Sequence, residues 1–163
     1  MNREPLYNTI KELCSSINLL HSNSLSLPAL MMTFATIDIM SSLACTTQQT
    51  ESNGTDFRDW VNRYLLPDIK LLCTADDLWG ARCGLLHAYT PDSRDSKRGK
   101  ARQMIYIKRI VDEIATEKYV AVAPQDLFNA LSSALCRFTE DLEKDVDLKN
   151  HVTARTSNYY VPI

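Results

Sequence analysis

Glycine is scarce in this chain, four residues in 163, and none are grouped into a loop that could cradle a phosphate. A nucleotide site of the Gly-rich type is therefore excluded, as are chemistries that need a paired-carboxylate motif or a G-x-S-x-G turn, neither of which occurs. The five cysteines, Cys14, Cys45, Cys73, Cys83 and Cys136, are odd in number, scattered and without a C-x-x-C pair. That pattern points to free thiols in a reducing, cytoplasmic setting. No uninterrupted apolar segment followed by small residues opens the chain, so no signal peptide is expected. The longest apolar stretch, Leu27 to Ala44, is broken by Asp38 and by several Ser and Thr residues, and reads as a buried helix with no membrane role. A net charge of -2 provides no global basic field. Any nucleic-acid contact must come from a local patch. There is no internal repeat or low-complexity tract, and the length suits a single domain, 1–163, able to bury a core without metal or disulfide support.

Helical periodicity dominates what is present. Leu6, Ile10, Leu13, Ile17 and Leu20 line one face of a helix starting near Pro5. A second helix, opened by Pro28, is apolar almost all round and belongs in the middle of the fold, with Asp38 its only charge. Residues 46–55 form a polar loop, and Thr55 or Asp56 caps a third helix whose Phe57, Trp60, Val61, Tyr64 and Leu65 face inward. Pro124 begins a strongly amphipathic helix carrying Leu127, Leu131, Ala134, Leu135, Phe138 and Leu142. Between them, Met104 to Ile107 and Tyr119 to Val122 favour two short strands in a hairpin or edge ribbon. The terminal NYYVPI either packs on the core or serves as a docking arm.

The stretch Thr74 to Pro91, TADDLWGARCGLLHAYTP, organises the rest. Thr74 and Asp77 have capping-box spacing, and Pro91 forces Thr90 out of the helix, which puts His87 in the last turn. Arg82 interrupts the apolar stripe of Leu78, Leu85 and Tyr89, and a guanidinium on that face needs a partner. The unmatched Asp38 of the second helix is the acid expected to pair with it. Gly80, Gly84 and Ala88 form a bare strip, suited either to packing within the chain or to a close helix pair across a two-fold axis. After Pro91, residues Arg94, Lys97, Arg98, Lys100 and Arg102 make a basic segment, expected to be a mobile loop able to contact phosphate. Cys83 and His87 lie four apart, but no second cluster completes a metal site, so neither metal nor cofactor is expected.

Arg82 and His87, near the end of a core helix in a small helical protein, resemble the Arg-x4-6-His motif of the HEPN superfamily. The runs FRDWVNRYLLP, LWGARCGLLHAYTPDS and GKARQMIYI also resemble bacterial proteins of unassigned activity with the same arrangement. The resemblance covers about Phe57 to Ile107. It implies an all-α, HEPN-like helical bundle with a small two-stranded β element, commonly a homodimer in which the Arg and His of two subunits face one cleft. It also implies a metal-independent ribonuclease, often a toxin or defence effector with a protein antitoxin. Arg82 and His87 would be catalytic, with Asp38 and Cys83 in support. Active members usually carry a polar residue, often Asn or Asp, directly after the motif arginine, where this chain has Cys83, so a catalytically inactive binding or assembly module is the rival expectation.

The residue types suit the chemistry. RNA supplies its own 2′-hydroxyl nucleophile and needs only a proton-moving group and a cation for the phosphate. The helix-end dipole favours a protonated His87 able to act as an acid. Five residues on a regular α-helix separate two side chains by about 140°. For Arg82 and His87 to meet, either the helix end must unwind or two copies must assemble the site.

Overall fold

The structure, a computed structural model, describes residues 4–67, 71–108 and 114–156. It is mainly helical, with one two-stranded sheet among the described residues. Helix α1 (Glu4–Ser22) buries Leu6 and Ile17 and packs Ile10, Leu13 and Leu20 on the core, as the four-three spacing requires. Helix α2 (Ser26–Ala44) touches α1 and three later helices, which explains why its apolar residues run almost all round. It is the one described helix long and apolar enough to cross a membrane, yet Leu30, Phe34, Ile37 and Met40 are sealed inside the protein. Its buried hydroxyls cost little, because Thr33 and Thr36 donate to carbonyls one turn back, Ala29 and Met32.

Helix α3 (Gly54–Trp60) is capped by Asn53, not by Thr55 or Asp56 as the sequence suggested; Asn53 accepts from Thr55 N and Asp56 N while Asp56 returns a bond to Asn53 N. The helix then widens into a π turn, Val61–Leu65, closed by Leu66 N donating to Val61 O at 3.0 Å. Widening frees carbonyls from the regular ladder. Arg137 takes one of them, donating to Tyr64 O at 2.9 Å. Trp60 and Tyr64 pack edge-on against Phe138, locking this turn to helix α6 (Pro124–Lys144). The expected face of α6 is buried throughout, from Leu127 to Leu142. Helix α7 (Val146–Thr156) closes the bundle with Leu148 and Val152, and Arg155 donates to Cys45 O and Thr46 O at the end of α2.

The strands fall where β propensity put them, but their pairing is not that of a hairpin. Strands β1 (Gln103–Tyr106) and β2 (Tyr119–Val122) run parallel, Gln103 opposite Tyr119 and Tyr106 opposite Val122. A parallel pair needs a crossover of roughly a dozen residues, and 107–118 supply it. Val120, Ala121 and Val122 are all buried, the continuous burial of a strand covered on both faces, where a half-exposed hairpin would alternate. Part of the expected connection, residues 109–113, lies outside the described residues, as does the NYYVPI tail.

Candidate functional site

Helix α4 (Ala75–Cys83) starts with the expected capping box: Thr74 Oγ1 accepts from Asp77 N at 3.2 Å and Asp77 Oδ2 from Thr74 N at 2.8 Å. Asp77 also binds Arg102, accepting from its backbone N at 2.6 Å and from its NH2 at 2.6 Å, while NH2 donates to Leu72 O at 2.8 Å. The Asp77 side chain is only 3% exposed. Burial works against its ionisation, but the Arg102 hydrogen bonds, the Thr74 backbone bond and the Arg102 charge outweigh it and hold the carboxyl below its ordinary value. Arg102, expected among the phosphate contacts, is thus placed in a structural ion pair. Its guanidinium is occupied within the fold.

Beyond Cys83 the helix continues as a second π turn, Gly84–Ala88, in which Tyr89 N donates to Gly84 O and Thr90 N reaches the same carbonyl at 3.2 Å. Tyr89 ends it in the left-handed region at φ 52°. A turn closed by i→i+5 bonds needs one more residue to come round than an α turn, so side chains five apart are brought onto one side. Arg82 NH1 lies 2.7 Å from His87 Nε2. The widened helix end resolves the geometric conflict, and the contact forms within one chain.

The expected acid is in place behind Arg82. Its Nε donates to Asp38 Oδ2 at 2.8 Å and NH2 to the same oxygen at 2.6 Å, with side chains 18% and 26% exposed for Arg82 and Asp38. The guanidinium carbon also stands 5.1 Å from the Trp79 ring centre. Burial works against the Arg82 charge, but the Asp38 bond and charge more than compensate, raising its pKa above the ordinary value. The adjacent Cys83 thiol is pushed up by burial, against the opposing pull of Arg82. Since a guanidinium has no lone pair, His87 Nε2 is the acceptor in this contact, which assigns the Nδ1–H tautomer. That is the accepting form of the ring, where the dipole argument favoured the protonated one.

His87 opens onto a groove of ≈ 740 Å³ whose far wall is the segment after Pro91. That wall is ordered by local bonds: Ser93 and Ser96 form a capping box at a short helix, α5 (Arg94–Lys97), and Asp95 meets Arg58 NH2 at 3.3 Å. Arg94, Lys97 and Arg98 line the groove, are exposed and have no carboxylate partner among the described residues. Lys100 is exposed but does not line it. Sequence reasoning missed Trp79, which lines the groove three residues before Arg82, and Arg58, which joins Asp76 at 2.5 Å to Asp95 and so ties α5 to α3 and α4. The i−3 spacing of an aromatic from the motif arginine was the available signal for Trp79; nothing local marked Arg58.

Gly80 and Gly84 of the bare strip are covered by the chain itself, while Ala88 is exposed. A Cβ on Gly80 would stand 3.1 Å from Ala101 Cβ and from Ser93 Oγ, and one on Gly84 would stand 2.5 Å from Thr90 O. The two glycines admit the returning 90–101 segment, so this part of the strip is used for packing within the chain. Gly84→Ala is accordingly expected to cost about 1–3 kcal/mol, because the clashing atom is backbone. Thermal unfolding checks this, and an unchanged Tm would contradict the packing described. Among the described residues no His, Cys, Asp and Glu group could hold a metal ion, and the five cysteines are free thiols. Comparison with family models, with curated proteins and with solved structures gave no match to this chain.

Proposed function

We propose that this chain is a HEPN-like, metal-independent endoribonuclease of the cytoplasm, acting as a homodimer and serving as a toxin or defence effector held in check by a protein antitoxin. The observation that carries the reading is the 2.7 Å contact between Arg82 and His87 at the mouth of a basic groove. A half-buried guanidinium and an exposed imidazole are brought together by a π turn, and the imidazole faces Arg94, Lys97 and Arg98, which have no carboxylate partner among the described residues. The pair matches what RNA cleavage through the 2′-hydroxyl demands. His87 Nε2 takes the 2′-hydroxyl proton as the oxygen attacks phosphorus, and the resulting imidazolium returns a proton to the departing 5′-oxygen. The O2′–P bond forms, the P–O5′ bond breaks, and the products are a 2′,3′-cyclic phosphate and a 5′-hydroxyl. Arg82, kept charged by Asp38, stabilises the extra negative charge on the phosphate oxygens. Arg94, Lys97 and Arg98 hold the flanking backbone.

The test is cleavage of single-stranded RNA in EDTA with the product ends identified. Cyclic phosphate termini support the reading; no cleavage, or 3′-hydroxyl ends, would overturn it. Replacing Arg94, Lys97 and Arg98 together with Gln should weaken RNA binding and make the slope of log K against log salt shallower by about 2, at roughly 0.7 per phosphate contact on a single strand. A slope equal to that of the wild type would remove these residues from the interface.

A second reading, a catalytically inactive HEPN-like binding or assembly module, is favoured by one observation. Arg82 is held by Asp38 and Trp79 as a structural arginine would be, with Cys83 beside it. On that reading Arg82→Ala lowers Tm strongly and the wild type cleaves no RNA.

A further inference from the structure

We infer that the Arg82–His87 bond is a latch opened by anions: it occupies the imidazole lone pair in the resting protein, and a phosphate oxygen binding at Arg82 NH1 releases that lone pair. The inference rests on the site proposed above and concerns how it is turned on. Asp38 takes Nε and NH2 of the guanidinium, so that edge is fixed, and NH1 is the donor left to meet an incoming ligand. In the resting state one of the two NH1 hydrogens is spent on His87 Nε2. A lone pair already accepting from Arg82 cannot take a proton from a hydroxyl.

Competition at NH1 is unequal. Bonds from a cation to an anionic oxygen are roughly twice as strong as those to a neutral acceptor. A phosphate group is drawn into the groove that His87 lines, beside Arg82, by Arg94, Lys97 and Arg98 on the opposite wall. His87 is exposed at the widened helix end, so its ring can turn aside without disturbing the core. The charged and titratable groups around it are Arg82 and Cys83 on its own helix, Asp38 behind Arg82, and Asp92, Arg94, Asp95, Lys97 and Arg98 across the groove. Of the two acids across the groove, Asp92 is engaged by Gln103 and Asp95 by Arg58. Neither is the natural occupant of NH1. Substrate would therefore complete the base that acts on it, and the empty site would stay quiet.

The test reads the tautomer of His87 in the full ¹⁵N-labelled chain by two-bond ¹H–¹⁵N correlation at about pH 8, above the ordinary imidazole range. The other two histidines, His21 and His151, are separated from it by the spectrum of His87→Gln. The resting protein should show His87 as Nδ1–H with an accepting Nε2, and inorganic phosphate, against a matched chloride control, should leave the proton on Nδ1 and move the Nε2 shift downfield, as for a lone pair that no longer accepts a hydrogen bond. Arg94→Gln, Lys97→Gln and Arg98→Gln together should leave the resting pattern intact and require several-fold more phosphate for the change. Arg82→Lys, which keeps a charge but loses the planar fork, should show no Nδ1–H preference. A resting His87 already in the Nε2–H form, or an Nε2 shift that phosphate leaves unchanged, overturns the latch. RNA cleavage is read in no arm. Failure of the latch thus leaves the nuclease reading standing, and a chain that shows the latch but cleaves no RNA overturns only the nuclease reading.

Discussion

Replacing His87 with alanine is expected to lower RNA cleavage by about 10²–10⁴-fold, the usual worth of a proton-transfer group, while moving Tm by no more than about 2 °C. The two halves of that expectation follow from one placement. His87 is exposed at the end of the helix and its recorded partner is Arg82 NH1, so its loss removes a proton acceptor without opening a cavity. Arg82→Ala behaves differently, because it strips Asp38 of the cation that faces it in a half-buried position and so lowers both activity and stability. Activity measured beside thermal unfolding for the two variants separates a chemical role from a structural one. If His87→Ala keeps wild-type cleavage, the imidazole is not the proton-moving group.

The largest loss of stability is expected at Asp77. Asp77→Ala removes the carboxylate that caps α4 and neutralises Arg102, leaving a guanidinium in the fold with only Leu72 O to satisfy it. Breaking such a pair from one side costs about 3 kcal/mol, a fall in Tm on the order of 10 °C for a chain of this size. The same residue gives a pH dependence. Its folded carboxyl sits below the ordinary value, so the unfolded chain binds the proton more readily. The contribution is complete above the unfolded carboxyl pKa, near 3.9, and fades as pH falls through the lower folded value. Unfolding free energy should therefore drop below about pH 4 in the wild type and show a weaker drop in Asp77→Ala. A variant with wild-type Tm and the same acid limb would mean that the Asp77–Arg102 pair contributes nothing.

Much of the fold could be read along the chain because the signals are local. The four-three spacing in α1 and α6, the apolar circumference of α2 and the Thr74–Asp77 box each state their outcome within a few residues. The Asp38–Arg82 pair was legible for a different reason: one acid and one base stood unmatched on two core helices, and burial leaves such groups little choice. The π turns were not legible. GLLHA carries nothing that distinguishes i→i+5 from i→i+4 bonding, and the choice is made by Thr90 and Tyr89 sharing the Gly84 carbonyl. The parallel register of β1 and β2 was hidden likewise, since it depends on the covering of both faces of β2 by distant elements. Arg102 looked like its basic neighbours because its partner had already been accounted for as a helix cap.

The claim on which the rest depends is that one chain supplies both members of the Arg82–His87 pair. Co-expression of Arg82→Gln and His87→Gln chains, followed by an RNA cleavage assay in EDTA on the mixed assembly, tests it directly. A pair built within each chain predicts that mixing restores no activity, because no chain in the mixture holds both groups. Recovery of a substantial fraction of wild-type cleavage would show that the site is assembled from two chains and would contradict the account.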